Sequence, residues 1–233
     1  MSAGRIDLTN QFLIAMPGMG DNNFAGAVVY LCEHTADGAL GLVINKPIDI
    51  TLQKLFDKVD LALAPGALGQ QPVYFGGPVQ TERGFVLHEA MPDADRPGHS
   101  PYNSTLKIPG GLQMTTSKDV LEALAQGGGP RRLLVTLGYS GWGAGQLEAE
   151  LGRNGWLTVD AVPEIIFDTP VEQRYQRAMA SGLRPAHAQR RGRAWLRMWP
   201  PRRLTASPPQ GGASRLGAAR RRLNAPSWPS TTA

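Results

Sequence analysis

The stretch Ala27-Val-Val-Tyr-Leu-Cys-Glu-His-Thr-Ala-Asp-Gly-Ala-Leu-Gly-Leu-Val-Ile-Asn45 decides the fold class. Two runs rich in β-branched and aromatic residues, Ala27–Glu33 and Ala39–Asn45, flank Thr35-Ala-Asp-Gly38. Such runs suit a pleated, half-buried surface, and an Asp-Gly pair adopts the positive φ angles that a tight reversal needs. The stretch therefore predicts a β-hairpin. Pro47 has no N–H to donate and ends the second strand.

Working outward, Leu52, Leu55, Phe56 and Val59 fall at i, i+3, i+4 and i+7, which predicts an amphipathic helix over Thr51–Val59. A small-residue loop over Ala62–Gln71 leads into strand Pro72–Gly76, and Arg83–Glu89 is a further strand. Met91–Tyr102, with three prolines, reads as a mobile surface loop. Leu106–Ile108 and Leu112–Thr115 read as short strands. Thr116 with Asp119 resembles a capping box that opens helix Ser117–Gln126, stopped by three glycines at 127–129. The buried-strand pattern Arg132–Leu137 enters the bend Gly138-Tyr-Ser-Gly-Trp-Gly-Ala-Gly145, followed by helix Gln146–Arg153. Trp156–Val162 and Ile165–Phe167 read as strands. Thr169, Pro170 and Glu172 are the expected N-cap, first and third residues of a last helix, Val171–Met179. Residues 1–179 thus read as one mixed α and β domain.

Charge separates this body from the C-terminal segment. Residues 1–179 hold all 19 acidic residues and 13 basic ones, a net charge of −6. Residues 180–233 hold 11 arginines, no lysine and no acid, a net charge of +11. The chain total of +5 and the pI near 9.7 therefore describe neither segment. The tail has seven prolines and no Ile, Val, Phe or Tyr. Too few apolar side chains recur there to offset the entropy of ordering, so the expectation is disorder. Its arginine clusters, with Trp195, Trp199 and Trp228 between them, would attract nucleic acid without sequence preference. The tail's vocabulary is also that of a GC-rich gene read out of frame, so the expectation is that the native frame is lost near 179–183.

No apolar run reaches the ~20 residues of a membrane-spanning helix. The first residues lack a secretory signal, so a cytoplasmic protein with no membrane partner is expected. The single cysteine, Cys32, excludes an intramolecular disulfide and disfavours a zinc site, and neither a metal nor a cofactor is expected.

The glycine-rich bend is the first candidate for chemistry, because glycines let backbone approach a ligand and the next helix offers free N–H groups. Gly141-x-Gly143-x-x-Gln146 lacks the third glycine of the dinucleotide fingerprint, and no P-loop lysine follows. A tight turn that packs Trp142 on the core is the simpler account. Ser140 stands in a setting similar to a nucleophile elbow, but Trp142 replaces the second glycine of that motif. Cys32 and His34 share one strand face about 7 Å apart, too far to share a proton. A hydrolase or transferase using Ser140 or Cys32 is the rival to a binding protein. His88 alternates with Phe85 and Leu87 and reads more readily as a core histidine than as a ligand. Glu148 and Glu150 lie on different helix faces and form no acid–base pair.

Several segments together are similar to the YqgE/AlgH family of bacterial proteins. They include Phe12-Leu-Ile-Ala-Met-Pro17, Val29-Tyr-Leu-Cys-Glu-His34, Gly41-Leu-Val-Ile-Asn-Lys-Pro47 and Gly76-Gly-Pro-Val79. Arg83-Gly-Phe-Val-Leu-His88, Gly138-Tyr-Ser-Gly-Trp-Gly143 with Gly145-Gln-Leu-Glu148, and Asn154-Gly-Trp-Leu157 complete the set. The resemblance runs from about residue 10 to 179 and stops where the charge breaks. It implies an α+β domain whose bent, mainly antiparallel sheet forms a barrel-like core with peripheral helices. It implies no established reaction, and a regulatory role, one member being linked by name to control of alginate production. The family commonly has alanine at the position of Ser140, which cannot attack. On this reading the chain is a non-enzymatic protein that binds a small ligand or a partner. A pocket would be bordered by Gly76, Gly77, Arg83, His88, Tyr139, Trp142 and Gln146. Arg83 would meet an anionic group, Tyr139 and Trp142 would stack, and Gln146 would orient the ligand by hydrogen bonding.

Overall fold

The structure is a computed structural model that describes residues 7–63, 66–91 and 99–183. The hairpin of the opening stretch is present as β2 (Val28–Thr35) and β3 (Gly38–Val43), paired from Val29 opposite Val43 to Thr35 opposite Gly38. A bulge between Leu31 and Glu33 bends it. β2 is buried on both faces over Val28–Cys32: Val28, Tyr30 and Cys32 enter one core cluster, Val29 and Leu31 another. Before it runs β1 (Gln11–Ala15), whose Phe12–Ala15 are all buried. A strand covered on both faces shows no alternation, which is why the run carries no strand signature in the sequence.

Next come β4 (Pro47–Thr51) and helix α1 (Leu52–Lys58), for which the Thr51 hydroxyl accepts the Lys54 N–H. A 3₁₀ turn at Ala67–Gln70 interrupts the expected loop before β5 (Pro72–Phe75). β6 (Val79–Glu89), β7 (Thr105–Ile108) and β8 (Leu112–Thr115) come after it. Residues 92–98 of the expected Met91–Tyr102 loop lie outside the described residues. Helix α2 (Asp119–Ala125) lacks the expected Thr116 cap. Asp119 instead accepts the Val120 N–H and the Ser117 hydroxyl on one oxygen, and the Asn103 backbone and side-chain N–H groups on the other. The carboxylate thereby ties the helix to the segment before β7.

Three further expectations are corrected. The glycine-rich segment is not a bend: β9 runs unbroken from Leu133 to Gly143, and the chain turns only before helix α3 (Gln146–Gly152). Ile165–Phe167 is not a strand. After β10 (Trp156–Asp160), Pro163 opens a short helix, α4 (Pro163–Phe167), since its fixed φ suits a first helical turn. The last helix, α5 (Val171–Leu183), extends four residues beyond Met179. The Thr169 hydroxyl donates to the Glu164 carbonyl, and no N–H of the first turn reaches it among the described residues. Residues 184–233, and with them most of the expected tail, lie outside the described residues.

The sheet runs β10-β1-β2-β3-β9-β6-β8-β7, with β4 and β5 as a side branch, and curls into a half-barrel. All its pairings are antiparallel except β5 with β9. β9 organises it by changing partners. Its first half pairs β6 and β5, and its second half, from Ser140, pairs β3. The change occurs at Gly138, φ +73°, where the strand crosses Gly76 and Gly77 backbone to backbone. A Cβ on Gly76 would lie 2.1 Å from the Gly138 carbonyl oxygen, and one on Gly138 would lie 2.5 Å from that of Gly77. Helix α5 closes the Ile14 side: the Tyr175 hydroxyl donates to the Ala15 carbonyl at 2.8 Å.

Gly138→Ala combines left-handed backbone strain with this overlap and is expected to lower stability by about 3 kcal/mol. Gly127→Ala, at φ +78° in open space, is expected to cost about 1 kcal/mol. Urea unfolding of the two variants checks the ordering, and equal losses would show that the crossing is not tight.

Candidate functional site

The second half of β9 and the helix after it build the most developed surface of the body. Trp142 faces the cluster of Leu13, Val29 and Leu147, while Tyr139 packs on Phe85 at 5.4 Å between ring centres, on the opposite face of the strand. Trp142, Trp156 and Phe24 form a three-ring group, with Phe24 stacked on Trp142 at 6.1 Å and edge-on to Trp156 at 5.4 Å. Glu150, from α3, accepts both indole N–H groups on Oε2, at 3.0 Å from Trp142 and 2.8 Å from Trp156. Its Oε1 accepts the Gln146 amide, whose own oxygen accepts the Gly143 N–H. One carboxylate therefore fixes two aromatic side chains from two different strands.

Gly141 and Trp142 stand between two clefts. One, of about 480 Å³, is bounded by Met19, Phe24, Gln146, Arg153 and Trp156. The other, of about 440 Å³, is more open and is bounded by Glu33, Asp37, Leu40, Val79 and Tyr139. The structure thus brings Trp142 and Gln146 to the first cleft, and Trp142 and Tyr139 to the second. Gly76 and Gly77 line neither cleft; they lie at the crossing beneath β9, where Gly76 receives N–H and hydroxyl donors from Val43 and Ser140. Arg83 and His88 line neither cleft. Arg83 is exposed, donates to the Thr116 hydroxyl and lies 5.9 Å over the Phe85 ring. His88 is fully buried, with Nδ1 at 2.7 Å from the Glu89 carbonyl and Nε2 at 2.9 Å from the Thr115 hydroxyl.

The two nucleophile candidates are sealed. Ser140 is 0% exposed and donates its hydroxyl to the Gly76 carbonyl at 3.0 Å, which tightens the strand crossing. Cys32 is buried beside Tyr30, and burial, aided by the charge of Glu33, pushes its thiol far up from the usual range. A thiol held protonated is not a nucleophile. No group of three or more His, Cys, Asp or Glu able to hold a metal occurs among the described residues.

His34 has a partner that sequence reasoning missed. Its Nδ1 accepts the Leu8 N–H at 3.1 Å, so Nε2 carries the proton and donates to Glu148 at 3.0 Å. Glu148 and Glu150 do point to different faces, as their spacing requires, and each holds a different neighbour. The role of Glu150 had no local signal, since Trp142 and Trp156 lie on strands either side of its helix.

His88 gives a pH signature. Burial lowers its pKa, with the Glu89 carbonyl opposing, so the folded state holds the neutral ring. The unfolded chain takes up a proton below about pH 6.5, and the stability due to His88 is lost as pH falls through that window. The expected slope reaches up to about 1.4 kcal/mol per pH unit. Denaturant titrations of His88→Gln between pH 7 and 5 should lose that part of the slope; an unchanged slope would show that His88 protonates in the fold.

A model of the AlgH-like family matches residues 12–184. The chain is 65% identical over 182 residues to a UPF0301 protein of Ralstonia nicotianae, covering 78% of this chain and 92% of that one. A UPF0301 protein of Variovorax paradoxus is 66% identical over 175 residues, 75% and 88% of the two chains. Among solved structures, the AlgH protein of Pseudomonas aeruginosa superposes with a TM-score of 0.64 at 47% identity, covering 81% of this chain and all of that one. A Corynebacterium diphtheriae protein shares the fold alone, with a TM-score of 0.58 at 20% identity over 79% of this chain and 91% of that one. The matched residues span β9, the Gly76–Gly77 crossing and the Trp142–Glu150–Trp156 cluster, and the chain belongs to the YqgE/AlgH family.

Proposed function

We propose that this chain is a non-enzymatic, cytoplasmic binding protein with a regulatory role, and that its body, residues 1–179, carries that role. The observation that supports the reading is the position of Trp142, held by Glu150 between two clefts. Pre-set aromatic side chains with a few polar groups at the rim suit recognition of a small aromatic or apolar group. Tyr139 supplies stacking surface on one side and Gln146 a hydrogen-bonding edge on the other. Nucleic acid meets only the basic residues after 180, through charge and without sequence preference.

A fragment screen by thermal shift on the full chain tests this. For hits in the Phe24 cleft, Gln146→Ala is expected to weaken binding about fivefold and Phe24→Ala more strongly. Tyr139→Ala is expected to act in the same way on hits in the other cleft, and Arg83→Ala to leave affinities unchanged. Hits that bind all three cleft variants as tightly as the parent would sink the site assignment.

The hydrolase reading makes the opposite demand. A fluorophosphonate probe should leave Ser140 unlabelled in the native protein, and iodoacetamide at pH 8 should modify Cys32 only after unfolding. Native labelling of either residue faster than in denaturant would restore an enzyme.

A further inference from the structure

A third cleft, of about 500 Å³, lies away from the aromatic pair, between the start of β9, the start of β5 and the α4–α5 connection. Its lining includes Arg174, the fourth residue of α5, which is only 6% exposed. Arg174 donates Nε to the Thr169 carbonyl at 3.0 Å and Nη1 to the Ile44 carbonyl, and its guanidinium stands 5.0 Å over the Tyr74 ring. These contacts use two of its five N–H donors on neutral oxygens. No carboxylate among the described residues forms an ion pair with it. Burial pulls its pKa down, while Tyr74 and, at longer range, Glu172 oppose. An arginine stays charged in proteins, and a buried cation without a counter-ion is strongly unfavourable.

The rest of the lining carries both signs, Arg131 and Arg132 against Asp168 and Glu172. Arg131 is exposed at the rim. Arg132 binds both Glu89 and Asp168, so its own charge is fully used, yet its buried Nε has no hydrogen-bond partner among the described residues. Pro170 and Val171 bring the start of α5 to the cleft, adding the positive end of a 13-residue helix. Glu172 is the one lining acid without an arginine bound to it, and it is exposed. Two guanidinium groups with spare donors, one uncompensated and buried, surround a space large enough for a small metabolite.

The geometry points to an anion-binding site in this cleft, with Arg174 as the anchor and Arg131 as the rim contact for the phosphate or carboxylate group of a small molecule. The planar fork of Arg174 takes such a group through two parallel donors, a geometry that lysine does not reproduce. The site is separate from the aromatic clefts, so either assignment can fail without the other.

Inorganic phosphate and succinate, each titrated into the ¹⁵N-labelled full chain at constant ionic strength, are the probes. Saturable shifts of the Val171, Glu172 and Arg132 backbone amides are expected with at least one of them, and which anion binds tells phosphate from carboxylate. Arg131→Ala is expected to raise the apparent Kd about tenfold. Arg174→Lys, which keeps the charge but loses the fork, should raise it at least as much, whereas Arg177→Ala, outside this cleft, should not. Arg174→Met is the stronger variant if it folds, and Arg131→Ala keeps the test open if it does not. Shifts confined to residues after 180, or amide shifts near Val171 that survive Arg131→Ala and Arg174→Lys unchanged, would overturn the site.

Discussion

The backbone crossing of Gly138 over Gly76 and Gly77 is the contact on which the rest of the body depends. The β5–β6 connection and β9 meet there backbone to backbone: a Cβ at Gly76 would sit 2.6 Å from the Thr136 hydroxyl as well as against the Gly138 carbonyl. The groups that would be orphaned in such a contact are satisfied. Gly76 donates to the Leu137 carbonyl, while its own carbonyl accepts from Val43 and from the Ser140 hydroxyl. This closeness lets one strand belong to both halves of the sheet. Without it β9 would run straight past β5, and the half-barrel would not close onto β3.

That crossing also decides which faces the functional candidates occupy. Beyond Gly138, β9 presents Tyr139 to the Phe85 side and Trp142 to the Leu13 side, and it pairs with β3 through Gly141 and Trp142. Helix α3 then returns Glu150 to the Trp142 indole, and β10 delivers Trp156 to the same carboxylate. On the other face α5 sends Arg174 to the carbonyl of Ile44, just beyond β3. The Phe24 cleft and the arginine-lined cleft thus border different core clusters of one sheet with both faces covered.

Much of the fold was legible where local pattern and environment agree. The hairpin at 35–38, the helix from Leu52 and the strands around Leu87 and Met114 announce themselves by turn chemistry or periodicity. Legibility failed where burial is two-sided or where proline has two meanings. Phe12–Ala15 has no alternation to detect, Pro47 opens β4 rather than closing β3, which stops at Val43, and Pro163 starts a helix in a run that looks extended. At the site, the motif around Ser140 drew attention through its likeness to a nucleophile elbow, while its hydroxyl is buried against the Gly76 carbonyl. Serine next to glycines suggests an exposed nucleophile, but the same residues serve a buried crossing. Trp142 and Gln146 were visible as candidates, while Glu150 and Arg174 were not, because what they do depends on partners many residues away.

The shared acceptor at Glu150 makes the body its own optical reporter. Of the five tryptophans in the chain, Trp142 and Trp156 donate to one carboxylate oxygen, and the other three lie after residue 194. Negative charge at the pyrrole end of both indoles biases their excited states in the same sense. Any occupant that moves Glu150, or takes one of its oxygens, alters two emitters together, so their colour reads the state of the Phe24 cleft without an added label.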